Sequence, residues 1–165
     1  MFPSEVHDLA RAIISSYARR RWRIATAESC TGGLVAAALT QIPGASEVFE
    51  RGFVTYSNEA KTEVLGVMLE ILDNFGAVSS QTAEAMARGA LAFSLADVAV
   101  SVTGIAGPSG AMPGKPVGLV YLGLATRAGV LFHERCEFRG DRDAVRAQAV
   151  AEALRLLEAQ GESEG

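Results

Sequence analysis

The stretch Thr26-Ala27-Glu28-Ser29-Cys30-Thr31-Gly32-Gly33 joins a short strand-like run, Arg23-Ile24-Ala25, to an apolar helical run, Leu34-Val35-Ala36-Ala37-Ala38-Leu39. A strand that feeds a helix through a small, polar, glycine-containing turn is a building unit of α/β folds. Backbone N–H groups at a helix start attract an anion or a developing oxyanion. Glycine lets a ligand come close to the backbone, because no Cβ stands in the way. Ser29 at this turn fits two roles, a nucleophile beside its own oxyanion hole or a plain helix cap. Taken alone, the cap is the more ordinary use of such a residue.

Working outward, Val6, Leu9, Ile13, Ile14 and Tyr17 have helical spacing and predict a helix over residues 5–20. A strand over 24–27 precedes the motif, and a helix over 32–41 follows it until Pro43-Gly44 stops it. Residues 48–56 read as a strand, and Ser57 and Asn58 cap a short helix that ends at Leu65. A further turn of helix over 68–75 ends at Gly76, and Ser79-Ser80-Gln81 opens a longer one toward Leu95. The β-branched run 98–103 predicts a buried strand that enters a Gly/Pro-rich loop over 104–116. Residues 117–126 and 130–138, around Ala128-Gly129, predict a hairpin. An amphipathic helix over 141–158 closes the domain, with 160–165 expected as a frayed, disordered tail. Helices interleaved with strands, plus a hairpin, predict a single-domain α/β/α sandwich with a mixed sheet over residues 1–159.

The 165 residues suit one core, with 49% hydrophobic and 21% charged residues. A net charge of −4 and no basic stripe argue against nucleic acid as a partner. The cluster Arg19-Arg20-Arg21 suits the negative end of the first helix. Cys30 and Cys136 are too few for a disulfide scaffold or a structural zinc site. With no signal-peptide pattern and no apolar run near the ~20 residues a membrane helix needs, a cytoplasmic protein without membrane association is expected. No His/Cys/carboxylate cluster has ligand spacing, so neither metal nor cofactor is expected.

Three strands end in polar or glycine-rich turns: the motif itself, Tyr56-Ser57-Asn58-Glu59-Ala60-Lys61, and Thr103-Gly104-Ile105-Ala106-Gly107-Pro108. If the strands are neighbours, Ser29, Tyr56, Lys61 and Thr103 come within reach of one another, where open α/β sheets gather their sites. Ser29 needs a base. The two histidines, His7 and His133, lie on elements away from the strand ends. Lys61 remains, in the first turn of a helix, where the macrodipole disfavours its cation and burial behind Tyr56 would depress its pKa further. The plain alternatives are a solvated helix lysine and a half-buried strand tyrosine. Cys30 is the rival nucleophile, although a small buried thiol is common.

These three turns, with Lys115-Pro116-Val117-Gly118 and Gly140-Asp141-Arg142, make the chain resemble the CinA C-terminal domain family in its stand-alone form, the nicotinamide-nucleotide amidohydrolases. The matches occur in order over nearly the whole chain. The resemblance implies hydrolysis of the carboxamide of nicotinamide mononucleotide to the nicotinate nucleotide and ammonia, with Ser29 as nucleophile, Lys61 as base and Tyr56 assisting. It departs in the loop Pro108-Ser109-Gly110-Ala111-Met112-Pro113-Gly114, where the family often has more consecutive glycines, and in the absence of the extra N-terminal domain of longer members. On this reading the amides of Thr31, Gly32 and Gly33, with Gly104 and Thr103, hold the reacting end of the substrate. Arg142 and Arg146, neighbours at i and i+4, and Lys115 in the Gly/Pro loop hold the phosphate of this small-molecule nucleotide. The alternative for both arginines is surface pairing with Asp141, Asp143 or Glu152. A homodimer is the expected assembly, with the phosphate face open to contribution from a neighbouring subunit. Two other readings stay open, a non-catalytic nucleotide-binding module and an interaction protein of competence or DNA processing.

Overall fold

The fully buried strand β1 (Ile24–Glu28) is made of small or branched residues, so helices can approach it from both faces. In the computed structural model, which describes residues 1–163, β1 is an interior strand of a five-stranded sheet, second from one edge. Its parallel neighbours are β2 (Phe49–Val54) and β3 (Val98–Gly104). β4 (Leu119–Thr126) and β5 (Leu131–Glu137) continue the sheet antiparallel, giving the order β2-β1-β3-β4-β5. Glu28 is level with Val54 on one side and Val102 on the other, so the three parallel strands deliver their carboxyl ends to one place. The chain leaves β1 on opposite sides to reach β2 and β3, and a crevice opens at such a reversal.

On one face lie α1 (Ser4–Arg20), α2 (Leu34–Thr40) and α6 (Arg142–Ser163), packed through Ile13, Tyr17, Leu39, Val145, Leu154 and Leu157 onto Ile24, Val100 and Leu122. The other face carries α3 (Asn58–Leu65), α4 (Leu69–Phe75) and α5 (Ser80–Ala92), with Leu65, Leu72 and Met86 against Ala25, Ala27 and Ala99. The alternation of Val98, Val100 and Val102 against Ala99 is the period-two pattern of a strand covered on both sides. The chain is thus a single-domain α/β/α sandwich with a mixed sheet, as its pattern predicts. Among the described residues no helix is long and apolar enough to cross a membrane.

Three boundaries differ from expectation. Gly32 and Gly33 adopt φ of 57° and 102°, so they form the turn and α2 begins only at Leu34. The second strand is shorter, because a 3-10 turn at Ala45–Glu47 precedes it and Thr55 and Tyr56 leave the sheet. The frayed tail expected from Gln160 is corrected through Ser163: α6 continues, with Gln160 and Gly161 buried and Gly161 set against Ser16 and Tyr17 of α1. Glu164 and Gly165 lie outside the described residues.

The distance between α5 and α3 is set by Gly89, where an added Cβ would stand 2.0 Å from the Leu65 carbonyl oxygen. Backbone cannot move aside as a flexible side chain can, so Gly89→Ala must push apart the two helices, one of which carries Lys61. The expected outcome is a loss of about 1–3 kcal/mol in stability. Thermal melts of Gly89→Ala check this, and an unchanged melting temperature would contradict the packing argument.

Candidate active site

The peptide after β1 is tied to both neighbouring strands. Ser29 N–H donates to Val102 O at 2.9 Å, and Thr55 N–H donates to Glu28 O at 2.9 Å. Glu28, buried under α2, accepts from Val35 N–H at 2.8 Å and Ala36 N–H at 3.1 Å. Two of the free amides of α2 are therefore satisfied from within the chain. Ser57 caps α3 by accepting from Ala60 N–H at 3.0 Å, which turns Lys61 inward in the first turn.

Lys61 is 1% exposed, and its Nζ lies 3.1 Å from Ser29 Oγ, 3.0 Å from Thr55 O and 3.4 Å from Tyr56 O. A neutral amine has two N–H donors and one lone pair. The two carbonyls match the donors, which leaves the lone pair for the Ser29 hydroxyl. Among the described residues no carboxylate pairs with Lys61. Burial accordingly holds the amine below its ordinary 10.5, with the Cys30 side chain opposing the shift. The same burial pushes the Cys30 thiol up to about 11, so a thiolate is scarce at neutral pH. Ser29 Oγ, not the Cys30 thiol, is the group hydrogen-bonded to the Lys61 amine.

Ser29, Cys30, Tyr56 and Lys61 line a cavity of about 240 Å³ whose far wall is the loop that includes Gly104, Ala106 and Gly107. Thr103 and Arg142 also line it. The strand-end juxtaposition expected from the sequence is thus realised for Ser29, Tyr56, Lys61 and Thr103. Thr103 Oγ1 donates to Ala77 O at 2.7 Å and fixes the loop before α5 against β3. At Gly104 a Cβ would stand 2.6 Å from a methyl of Val120, so only glycine fits. Tyr56 departs from expectation: it sits beyond the strand and is 61% exposed, so the burial of Lys61 comes from the surrounding strands and helices.

Arg142 donates to Gly107 O at 2.8 Å and to the Tyr56 hydroxyl at 3.0 Å, and it lies on the wall shared with a second cavity of about 340 Å³. Neither Arg142 nor Arg146 makes an ion pair among the described residues. Arg146 is turned to the carbonyls of Cys30 and Thr31 and does not line the cavity. Thr31 is fully buried, and Gly32 N–H is engaged with Ser29 O at 3.0 Å. Lys115 Nζ donates to Phe75 O at 2.6 Å, outside the cavity wall. His7 faces Arg11, and His133 faces Glu84 at 2.7 Å, both away from the cavity. Sequence reasoning missed Glu28 as the partner of α2 and the Ala77-Val78 wall. The position of Glu28 immediately before Ser29 was the only signal for the first, and long-range packing supplies the second.

A lysine amine thus stands beside a serine hydroxyl at the reversal of an α/β sheet, and known proteins place the chain in a family. The model of the CinA C-terminal domain matches residues 6–160. The nicotinamide-nucleotide amidohydrolase PncC of Escherichia coli K12 is 50% identical over 157 residues, covering 95% of each chain. A longer relative from Caldicellulosiruptor bescii is 52% identical over 151 residues, and the match spans 36% of its length. The crystal structure of the competence/damage inducible protein CihA from Agrobacterium tumefaciens superposes with a TM-score of 0.95 at 50% identity, covering 96% of this chain and 97% of that one. The chain belongs to the CinA C-terminal domain family.

The uncompensated burial of Lys61 has a pH signature. Between its lowered value and 10.5 the amine binds fewer protons in the folded than in the unfolded chain. Native stability therefore rises with pH across that window, and the cost of carrying the charge is fully present below it. Lys61→Met keeps the length of the side chain and removes the titration. The expected outcome is that wild-type stability, relative to Lys61→Met, rises as pH approaches 10.5, read from denaturant melts at stepped pH. A relative stability that falls with pH would contradict the buried neutral amine.

Proposed function

We propose that this chain is an amidohydrolase that converts the carboxamide of nicotinamide mononucleotide to the carboxylate and ammonia, with Ser29 as nucleophile and Lys61 as base. The contact between Lys61 Nζ and Ser29 Oγ, with two carbonyls on the amine and no carboxylate, carries the reading. The full-length similarity to PncC supports the substrate class.

Ser29 Oγ adds to the amide carbon while its proton passes to Lys61 Nζ. The tetrahedral oxyanion is met by backbone N–H groups of the turn after Ser29. The C–N bond then breaks as the lysine proton goes to the leaving nitrogen, with the Tyr56 hydroxyl at the cavity mouth assisting, and ammonia departs. Water attacks the resulting ester, Lys61 takes its proton, and the acid leaves with Ser29 restored. The phosphate faces Arg142, whose planar fork suits two parallel hydrogen bonds. Thr103 and Gly104 shape the pocket for the ring. Lys115 reaches the ligand only by leaving Phe75 O.

Incubating the purified protein with nicotinamide mononucleotide should release ammonia and the acid in equal amounts. Ser29→Ala should fold and lose turnover by on the order of a thousandfold or more, whereas Cys30→Ala should keep most of it. Lys61→Arg should be as damaging as Lys61→Met, since a guanidinium does not give up its proton. The wild-type rate should rise with pH to a midpoint below 10.5, because the neutral amine is the active form. Near-normal turnover in Ser29→Ala or Lys61→Arg would defeat the mechanism.

Arg142→Ala tests the phosphate contact separately. It should raise KM for nicotinamide mononucleotide at least about tenfold, the loss of a charge-assisted pair, while turnover of nicotinamide riboside, which has no phosphate, stays as in the wild type. An unchanged KM would place the phosphate elsewhere.

A further inference from the structure

Arg146 stands one turn beyond Arg142 on α6, yet its guanidinium faces backbone. Nε donates to Cys30 O at 3.0 Å and a terminal nitrogen donates to Thr31 O at 3.4 Å. A trans peptide holds its N–H opposite its C=O. With these two carbonyls drawn to α6, the amide hydrogens of Thr31 and Gly32 point away from Arg146. Gly32 N–H closes on Ser29 O at 3.0 Å, which in turn directs Cys30 N–H the opposite way.

Two chains of hydrogen bonds therefore begin at one guanidinium. The shorter runs through the Cys30 carbonyl and ends on Thr31 N–H. The longer runs through the Thr31 carbonyl, Gly32 N–H and the Ser29 carbonyl and ends on Cys30 N–H. Neither terminal N–H meets a carbonyl among the described residues. Both belong to the residues directly after Ser29, but only Cys30 lines the cavity, Thr31 being fully buried outside its wall. The amides of Val35 and Ala36 further on are held by Glu28 and are not available to a ligand.

We propose that Arg146 is a positioning residue that builds the oxyanion hole: through the Thr31 carbonyl, Gly32 N–H and the Ser29 carbonyl it fixes the Cys30 N–H in the orientation that receives the oxyanion formed at the carboxamide. The positive charge at the far end of each chain also polarises these peptides toward stronger donation. This rests on the amidohydrolase reading above. It separates the two arginines of α6, Arg142 for the substrate phosphate and Arg146 for the backbone beside the nucleophile.

Arg146→Ala and Arg146→Lys are compared with the wild type for kcat and KM on nicotinamide mononucleotide and on nicotinamide riboside. A fluorophosphonate, which phosphonylates an activated serine whatever its natural substrate, gives a second rate, and melting temperatures confirm the fold. The expected result for Arg146→Ala is a fall in kcat of about a hundredfold, equal on both substrates, with little change in KM. Ser29 phosphonylation should slow in step, and added guanidinium ion should restore part of both rates. Arg146→Lys, a single point charge without the fork, should recover only part of the loss and tests the idea even if the alanine variant fails to fold. A raised KM confined to the phosphorylated substrate would make Arg146 a phosphate ligand and overturn the proposal. Unchanged kcat and labelling in folded variants would reduce it to a structural residue. If the wild type neither takes the label nor releases ammonia, the serine reading falls and this inference with it.

Discussion

A lysine amine buried among neutral acceptors is the constraint around which this structure is arranged. Burying a charge without a counter-charge is costly, and the group yields by giving up its proton. The chain lowers the pKa of Lys61 in this way by offering the amine only the carbonyls of Thr55 and Tyr56 and the hydroxyl of Ser29. A carboxylate in place of either carbonyl would favour the charged amine. The carboxylate next to Ser29 in sequence, Glu28, is directed to the amides of α2 instead. On the proposed mechanism, activation of Ser29 follows from what the fold withholds from Lys61.

Topology supplies the rest. Because β1 has parallel neighbours on both sides, the residues after β1, β2 and β3 meet at one edge of the sheet. Ser29 follows the first, Thr55 and Tyr56 the second, and Thr103 lies near the end of the third. The backbone bonds from Ser29 to Val102 and from Thr55 to Glu28 extend the sheet past its last paired residues, so the turn at Ser29 inherits the rigidity of the strands. α3 then carries Lys61 back over the end of β1, at a distance from α5 limited by Gly89.

What the sequence made legible follows from which features are local. The strand–turn–helix at residues 26–33, the cap at Ser57 and the hydrophobic periodicities are written within a few residues, and the elements appear where those signals lie. The Ser29–Lys61 pair could be named because each residue sits at a recognisable strand end, although their adjacency depended on strand order. Environment was less legible. Tyr56 was expected to shield Lys61, but the strand ends at Val54 and the ring stands in the open. The last helix outran its expected end because Gly161 packs on Tyr17, a contact across 144 residues that no local pattern records.

The two arginines of α6 show how an acidic protein holds positive charge where it is used. With a net charge of −4, the molecule gives a distant phosphate no attraction. Arg142 and Arg146 compensate locally because no carboxylate neutralises them among the described residues. Arg142 rests on the Gly107 carbonyl and the Tyr56 hydroxyl, neutral acceptors that orient it without cancelling its charge. Arg146 rests on carbonyls of the nucleophile turn in the same manner. The two residues share a helix face but reach different segments, because the loop at Gly107 and the turn at Cys30 approach successive turns of α6. One rigid helix thereby holds the two guanidinium groups, and the segments they orient, at a fixed separation, which two independent loops would not maintain.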